Sequence, residues 1–141
     1  MSAISYKTNC IGVDWAAMRQ TLIDDDFHNG RTAAQYRISF ENSAQVCIAY
    51  AEDKIIGTVR ALSDGVCNAY IVDVWTHSDY RKRGIATRMM EIVQEQLQGQ
   101  HIYLFTDDAV GFYEKLGFKP DEIGMGKVAG DWLQNDSRLQ T

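Results

Sequence analysis

Residues 68–86, NAYIVDVWTHSDYRKRGIA, decide how the rest of this chain is interpreted. The first half of this stretch is apolar, aromatic and β-branched, which is typical of a buried strand. The second half is polar and basic and leads through Gly84 into the helical pattern of residues 85–98. This order places unpaired N–H groups and the positive end of a helix dipole at one point. The stretch therefore predicts an anion-binding site.

The spacing of the loop residues indicates which class of anion-binding loop this is. A basic loop before a helix can also bind nothing, and on the loop alone both interpretations stay open. The loop has neither the GxxxxGK[ST] of a P-loop nor the GxGxxG of dinucleotide-binding folds. Arg81, Gly84 and Ala86 do match the pattern R/Q-x-x-G-x-G/A directly after a strand. Through this motif the sequence resembles the GNAT superfamily of acetyl-CoA-dependent N-acetyltransferases, in which backbone amides of the loop wrap the pyrophosphate of coenzyme A.

The length and charge of the chain limit the classes of protein that fit it. At 141 residues the chain is long enough for one domain, residues 1–141, with a substantial core. Its formal net charge of -5 argues against binding to nucleic acid or to an anionic membrane. No apolar run approaches membrane-spanning length, and the N-terminus lacks the pattern of a signal peptide. These features predict a cytoplasmic protein.

The residues that form disulfides or bind metals do not cluster. Cys10, Cys47 and Cys67 are odd in number and widely spaced, which argues for a reducing compartment and against a zinc site. Each could be a catalytic thiol or a buried structural one. The acidic run at residues 24–26 is interpreted as a solvated helix end, with a metal site or attraction of a basic substrate as the alternative. Nothing else supports a metal, and we predict none.

Hydrophobic periodicity divides the chain into strands and helices. Strands are predicted at residues 4–9, 44–50, 55–63, 68–76 and 102–105, and helices at residues 14–24, 33–42, 85–98 and 109–116. Asp14 and Thr32 are the predicted caps of the first two helices. Short turns make the three central strands an antiparallel meander, whereas residues 68–105 should form a parallel, right-handed crossover. A glycine-containing tail is expected to add one or two strands to an α/β (α+β) fold with a mixed central sheet flanked by helices.

Residues 109–118, AVGFYEKLGF, carry a second signature. They match the pattern A-x-x-x-Y-x-K-x-G-F that occurs near the end of GNAT domains. In families with this pattern, the equivalent tyrosine points toward the thioester sulfur and can protonate the leaving thiolate. The resemblance thus implies that Tyr113 is a general acid. Because Ala109, Phe112 and Leu116 share its helix face, core packing is the alternative for this side chain.

The resemblance extends to further segments. Residues 57–61, GTVRA, followed by Asp64-Gly65, look like the third strand and hairpin of a GNAT subgroup that includes plastid and cyanobacterial serotonin N-acetyltransferase-like proteins. Three positions depart from the usual family pattern, with Ser78 in place of a proline, Ala86 in place of the second motif glycine and Thr106 in place of an asparagine.

The resemblance also implies which residues hold the acyl donor, acetyl-CoA. The fourth strand of the family separates from the fifth, so backbone groups of Val74, Trp75 and Thr76 are expected to dock the pantetheine and stabilise the oxyanion. The pyrophosphate is expected on the loop and the helix start, which comprise Arg81, Lys82, Arg83, Gly84, Ile85, Ala86 and Thr87.

The base that deprotonates the acceptor amine has several candidates. A primary alkylamine resembles lysine and is mostly protonated at neutral pH. Asp73 is the only carboxylate of the fourth strand, and burial there would raise its pKa toward the range of a base. The alternatives are a structural hydrogen bond between Asp73 and neighbouring backbone, proton removal by His77, and transfer through ordered water.

Together these features predict an N-acetyltransferase that moves an acetyl group from acetyl-CoA to the primary amine of a small molecule by direct attack on the thioester. The alternatives are acetylation of a protein lysine or N-terminus, and a non-catalytic acyl-CoA-binding regulatory module. No nucleic-acid or membrane partner is expected. A homodimer is possible because dimerisation is common in this fold.

Overall fold

A five-stranded sheet runs through the centre of the protein in a computed structural model that describes residues 3–134. The strands are β1 (Ile4–Lys7), β2 (Gln45–Ala51), β3 (Lys54–Ser63), β4 (Asn68–Thr76) and β5 (His101–Tyr103). They lie side by side in chain order, with antiparallel pairing from β1 to β4 and parallel pairing between β4 and β5. The predicted meander, parallel unit and mixed sheet are therefore confirmed.

Four α-helices within residues 3–134 flank this sheet. They are α1 (Trp15–Asp24), α2 (Ala33–Glu41), α3 (Ile85–Glu95) and α4 (Val110–Lys115). The Asp14 carboxylate caps α1 by accepting from the Ala17 N–H. A reciprocal capping box begins α2, because Thr32 Oγ1 accepts from the Gln35 N–H while Gln35 Oε1 accepts from the Thr32 N–H. Both predicted caps are confirmed.

Two apolar clusters cover the two faces of the sheet. Alternate residues of β2 face opposite ways, so Cys47 and Ala49 belong to one cluster whereas Ile48 belongs to the other. The first cluster packs α3 and α4 against the sheet, and the second packs α1 and α2. Burial raises the pKa of the Cys47 thiol to about 11, so this thiol is protonated at neutral pH and is a structural core group.

The predicted end of α3 is wrong, and residues 121–134 lack the strands expected of the tail. The helix α3 ends at Glu95, because the chain continues in tighter turns in which the amides of Gln96 and Leu97 bond to the carbonyls of Val93 and Gln94. Leu97 remains buried, which explains why the apolar periodicity ran past the helix end. The described part of the tail, residues 121–134, contains no strand, and residues 135–141 lie outside the described range. Gly124, Gly126 and Gly130 disfavour extended pairing there.

The longest described helix, α3, has 11 residues. Within residues 3–134, none of the helices has both the length and the apolar character required to cross a membrane.

Gly57 in β3 allows α3 to pack close to the sheet. A Cβ at this position would lie 2.9 Å from the Met89 methyl carbon and 3.1 Å from the Trp75 carbonyl oxygen. The methionine can move, but the Trp75 backbone is fixed by its pairing with β3.

We expect Gly57→Ala to lower the free energy of unfolding by about 1–3 kcal/mol, because the added methyl overpacks a rigid site. Urea denaturation followed by tryptophan fluorescence measures this change. Gly111→Ala in α4 is the matched control, since nothing lies within 4 Å of its Cβ position. The control should be neutral or stabilising by up to about 1 kcal/mol. Equal losses in both variants would contradict the packing argument.

Candidate active site

The strand β4 separates from β5 halfway along its length. Parallel pairing joins Asn68, Ala69 and Tyr70 to β5, and it stops there. Beyond Tyr70, the β5 side of β4 has no partner strand in the described part of the chain. The His77 N–H donates to the Ile56 carbonyl on the β3 side, so strand alternation directs the N–H groups of Thr76 and Val74 toward the gap. The expected separation of the two strands is present, and it leaves backbone donors open.

A β-bulge lies within this open segment of β4. The pairing with β3 shifts from Arg60 opposite Val72 to Thr58 opposite Trp75, so β4 holds one residue more than its partner. Asp73 occupies the bulge with a φ of 53°, the left-handed conformation that non-glycine residues rarely adopt. The bulge interrupts the simple alternation along β4 and redirects the backbone at Val74.

The Asp73 carboxylate is held by two arginines from other elements. Arg31, from the loop between α1 and α2, donates through Nη2 to Oδ1 at 2.8 Å and through Nη1 to Oδ2 at 3.0 Å. Arg60 of β3 donates through Nε to Oδ2 at 2.5 Å. Burial alone would raise the pKa of Asp73, but Arg31 and Arg60 outweigh it, so the pKa lies below its ordinary value.

The expected raised pKa of Asp73 is therefore wrong, and the carboxylate does not fit the role of a base. The alternative, a structural role for Asp73, fits the structure, but the hydrogen-bond partners are guanidinium groups and not neighbouring backbone. No pattern in the sequence indicated that Arg31 would bind Asp73. Arg60 did carry a signal, because a charged residue within the apolar β3 needs a buried partner of opposite charge.

The loop after β4 presents an unbroken series of backbone donors. Between residues 81 and 87, no amide donates a hydrogen bond to any group that the structure describes. Lys82 and Gly84 adopt positive φ values of 64° and 76°, which curve the loop. Gly84 precedes α3 without a side-chain cap, and the first helical bond runs from the Arg88 N–H to the Gly84 carbonyl. Such a concave row of amides at a helix N-terminus is an anion-binding geometry.

Basic side chains surround this loop. Arg81, Lys82 and Arg83 are all exposed. The Arg81 Nε donates to the Thr76 carbonyl at 3.2 Å, and the Arg83 guanidinium lies over the Tyr80 ring at 5.2 Å. These contacts tie the cationic side chains to the end of β4, so their charge lies beside the open amides.

Asp25, the middle residue of the acidic run, fixes the start of this loop. Its carboxylate accepts from Trp75 Nε1 at 2.9 Å, from the Ser78 N–H at 3.1 Å and from Ser78 Oγ at 2.5 Å. Burial raises the pKa of Asp25, but the hydrogen bonds from Ser78 and Trp75 bring it below its ordinary value. The prediction of a solvated run is correct for Asp24 and Asp26, which are exposed, and wrong for Asp25.

Two further residues of this region, Ser78 and His77, are fixed by hydrogen bonds. Ser78 replaces the usual family proline, and its N–H is the donor that Asp25 uses and that a proline lacks. His77 is buried, and its Nδ1 accepts from the Asp79 N–H. Across residues 3–134 the structure contains no group of three or more histidine, cysteine, aspartate or glutamate residues placed to hold a metal ion.

Tyr113 lies in the apolar cluster beneath α4. Its ring contacts Phe118 with 5.9 Å between centroids, and burial together with the Asp108 charge raises its pKa. Its hydroxyl makes no hydrogen bond to the residues that the structure describes. The side chain borders a cavity of about 650 Å³ that is enclosed by β5, α4 and the tail. The loop residues 81–87 do not line this cavity, so the structure alone does not bring the two predicted sites together.

The ion pairs of Asp73 predict a pH-dependent stability. We expect Asp73→Asn to lower the free energy of unfolding at pH 7 by about 3 kcal/mol, because it leaves two buried arginines uncompensated. Since the folded state lowers the pKa, this stabilisation is complete above the unfolded-chain value near 4 and disappears as the pH falls through the folded value. Urea denaturation between pH 7 and pH 3 should therefore show the wild type and the variant converging.

Asp53→Asn, in the exposed turn between β2 and β3, is the control and should change the stability by less than about 0.5 kcal/mol. A difference between wild type and Asp73→Asn that stays constant down to pH 3 would refute the ion-pair explanation.

Comparison with known proteins identifies the family. Residues 42–120, over half of the chain, match the sequence model described as the acetyltransferase (GNAT) domain. The uncharacterized N-acetyltransferase ycf52 of Pyropia yezoensis is 32% identical over 103 residues, which cover 67% of this chain and 59% of that protein. The histone acetyltransferase TAP1 of Glycine max is 36% identical over 78 residues, which cover 52% of this chain and 34% of that protein. The chain thus spans less than two thirds of the length of these relatives.

Solved structures extend the likeness to the fold. A Xanthomonas campestris structure assigned to the GNAT family superposes with a TM-score of 0.79 and 23% identity, covering 96% of this chain and 99% of that one. These matches support the family as a whole, and the narrower likeness to serotonin N-acetyltransferase-like proteins stays a prediction. With the separated strands, the bulge and the open amide loop in place, the chain belongs to the GNAT acetyltransferase family.

Proposed function

We propose that this protein transfers an acetyl group from acetyl-CoA to a primary amine, with a small molecule as the acceptor. One observation carries the proposal, namely that every amide from residue 81 to residue 87 lacks a partner within the described chain. These amides directly follow the unpaired half of β4. A pyrophosphate on the loop would therefore leave the rest of an extended thioester beside β4.

Several groups of the chain fit the parts of the acyl donor. The amides of residues 81–87, with Arg81 and Arg83 as charge partners, suit a pyrophosphate. The N–H groups of Val74 and Thr76, which face the gap, suit a chain of amide groups and a polarised thioester carbonyl. When bound, acetyl-CoA supplies the activated acyl group, and the protein supplies alignment and hydrogen bonds.

Among the side chains, only Tyr113 is assigned a role in proton transfer. Tyr113 keeps its proton at neutral pH, because its pKa is raised, and it can donate this proton to a leaving thiolate. Asp73 is occupied by Arg31 and Arg60, so we assign it to the support of the bulge and not to proton removal. The amine proton then passes to water in the gap.

A protein acceptor is the second candidate function. It is favoured by the Glycine max relative, whose name describes a histone acetyltransferase. A lysine-bearing peptide and a small amine present the same reactive group, so the two candidates differ in the acceptor site and share the donor site.

The loop geometry predicts a selective loss of donor binding. We expect Gly84→Ala to weaken acetyl-CoA binding about five- to tenfold, because alanine disfavours a φ of 76° by about 1–2 kcal/mol and the loop would shift. Isothermal titration calorimetry with acetyl-CoA measures the change. Gly99→Ala is the matched control, since Gly99 has a φ of 85° and open space at its Cβ, but follows the other end of α3. A similar loss of affinity in both variants would argue against the loop as the donor site.

The acid role of Tyr113 predicts a separation of turnover from binding. We expect Tyr113→Phe to reduce kcat at least about tenfold while the Kd for acetyl-CoA changes less than about twofold. Thiol release across a panel of amines gives the rate. Tyr103→Phe, which removes a hydroxyl at the same cavity, is the control and should retain full activity. Unchanged turnover in Tyr113→Phe would remove the acid assignment and leave ordinary core packing.

A further inference from the structure

A second, smaller cavity lies between α2 and β3, on the sheet face that α1 and α2 cover. Its volume is about 240 Å³, below the usual range for a whole ligand site and sufficient for one polar group of a ligand. Its lining includes two guanidinium groups, two side-chain amides and a hydroxyl, and it consists of Arg31, Gln35, Ile38, Ser39, Asn42, Arg60, Leu62 and Leu133. None of these lining residues carries a negative charge.

The charges at this cavity are not balanced. Arg31 and Arg60, whose side chains are 8% and 13% exposed, share the single carboxylate of Asp73. Arg60 uses its Nε for Asp73, and its Nη1 lies 3.4 Å from Ser43 Oγ. The Arg60 Nη2 has no hydrogen-bond acceptor within the described residues 3–134. Within residues 3–134, one positive charge therefore has no counter-charge in a largely buried place. The Arg31 guanidinium lies over the Tyr36 ring at 4.2 Å and the Arg60 guanidinium over the Phe40 ring at 5.7 Å, contacts that offset part of this cost without supplying a negative charge.

Gln35 adds a second, independent indication. This residue is 6% exposed, and its Oε1 is fixed by the capping box of α2. Its Nε2 is buried and has no hydrogen-bond partner in the part of the chain that the structure describes. Buried amide groups are nearly always paired, so the cavity lacks a hydrogen-bond acceptor. A water molecule could satisfy Gln35, but it would not supply the negative charge that Arg60 lacks.

The cavity lies next to the proposed acetyl-transfer site. The carboxylate that holds both arginines belongs to Asp73, the residue immediately before Val74. An anionic group bound at Arg60 would therefore lie near the Asp73 side chain of β4, on the sheet face that α1 and α2 cover. The tail covers this side of the sheet, since Trp132 Nε1 donates to the Asn29 carbonyl and Leu133 lines the cavity.

We propose that this cavity binds the carboxylate of the acceptor, so that the preferred substrate is an amine that also carries a carboxylate, as a free amino acid does. This inference rests on the proposed function. A guanidinium and an amide N–H are the donors that a carboxylate accepts from. The Arg60 Nη2 and the Gln35 Nε2 would each gain the acceptor that they lack.

The first experiment compares matched acceptors in the thiol-release assay. The pairs are L-phenylalanine with phenethylamine, L-tyrosine with tyramine, and L-leucine with isoamylamine, which differ only in the carboxylate. We expect kcat/KM about 10- to 100-fold higher for the amino acid of each pair, as charged hydrogen bonds predict. Arg60→Gln should abolish this preference chiefly through KM, and Arg60→Lys should restore part of it. Arg37→Gln, which breaks an exposed pair with Glu41 on α2, should keep it.

The second measurement detects the carboxylate without turnover. N-acetyl-L-phenylalanine is titrated into ¹⁵N-labelled protein, with N-acetylphenethylamine as the uncharged counterpart. The Gln35 side-chain amide signals should shift with the first compound only, and Arg60→Gln should remove the shift. An unchanged Gln35 signal at tens of millimolar probe would overturn the proposal.

The two proposals fail in distinguishable ways. Equal or faster reaction of the decarboxylated amines would overturn the carboxylate site and leave the acetyltransferase intact. Absence of both acetyl-CoA binding and thiol release with every amine would instead refute the proposed function. In that case, the Gln35 titration alone decides whether the cavity is an anion site.

Discussion

The ion pairs between Asp73, Arg31 and Arg60 are the interaction on which the site depends. Asp73 sits in the left-handed conformation at a bulge, and such a backbone persists only where its surroundings stabilise it. Two guanidinium groups from separate elements provide that stabilisation. The bulge in turn redirects β4 at the point where β5 no longer pairs with it. A single buried carboxylate thus links the loop between α1 and α2, the strand β3 and the open backbone of β4.

A second carboxylate has a parallel task at the other end of the open segment. Asp25 follows the C-terminal end of α1, and its carboxylate accepts hydrogen bonds from the Trp75 indole and from Ser78. The start of the loop after β4 is therefore fixed to α1. Asp73 and Ser78, which flank residues 74–77, are each tied to the region around α1. The helix α1 and the loop that follows it therefore support both the bulge and the start of the loop after β4.

How much of this could be predicted from the sequence depends on the range of the interactions. The strand, the loop and α3 were predicted because their signals are local, namely apolar periodicity, a run of basic residues and Gly84. Arg31 and Asp73 are 42 positions apart, and no local pattern indicates that they meet. One or two tail strands were expected because the tail glycines make a long helix improbable, but residues 121–134 form no strand and are irregular. The position of Tyr113 on α4 followed from periodicity, but the surroundings of its hydroxyl did not.

The open amides of the loop at residues 81–87 have a consequence for how this family diverges. The hydrogen-bond donors of this loop are main-chain amides. Every residue except proline has such an amide, whatever its side chain. In the donor site that we propose, affinity for acetyl-CoA therefore depends on Gly84, which sets the curve, and on the charges of Arg81 and Arg83, and less on the other side chains of residues 81–87. Apart from those positions, substitutions in this loop should leave the proposed donor binding intact. Such mutational robustness would leave the proposed acceptor side free to acquire new specificities while the proposed donor side is retained.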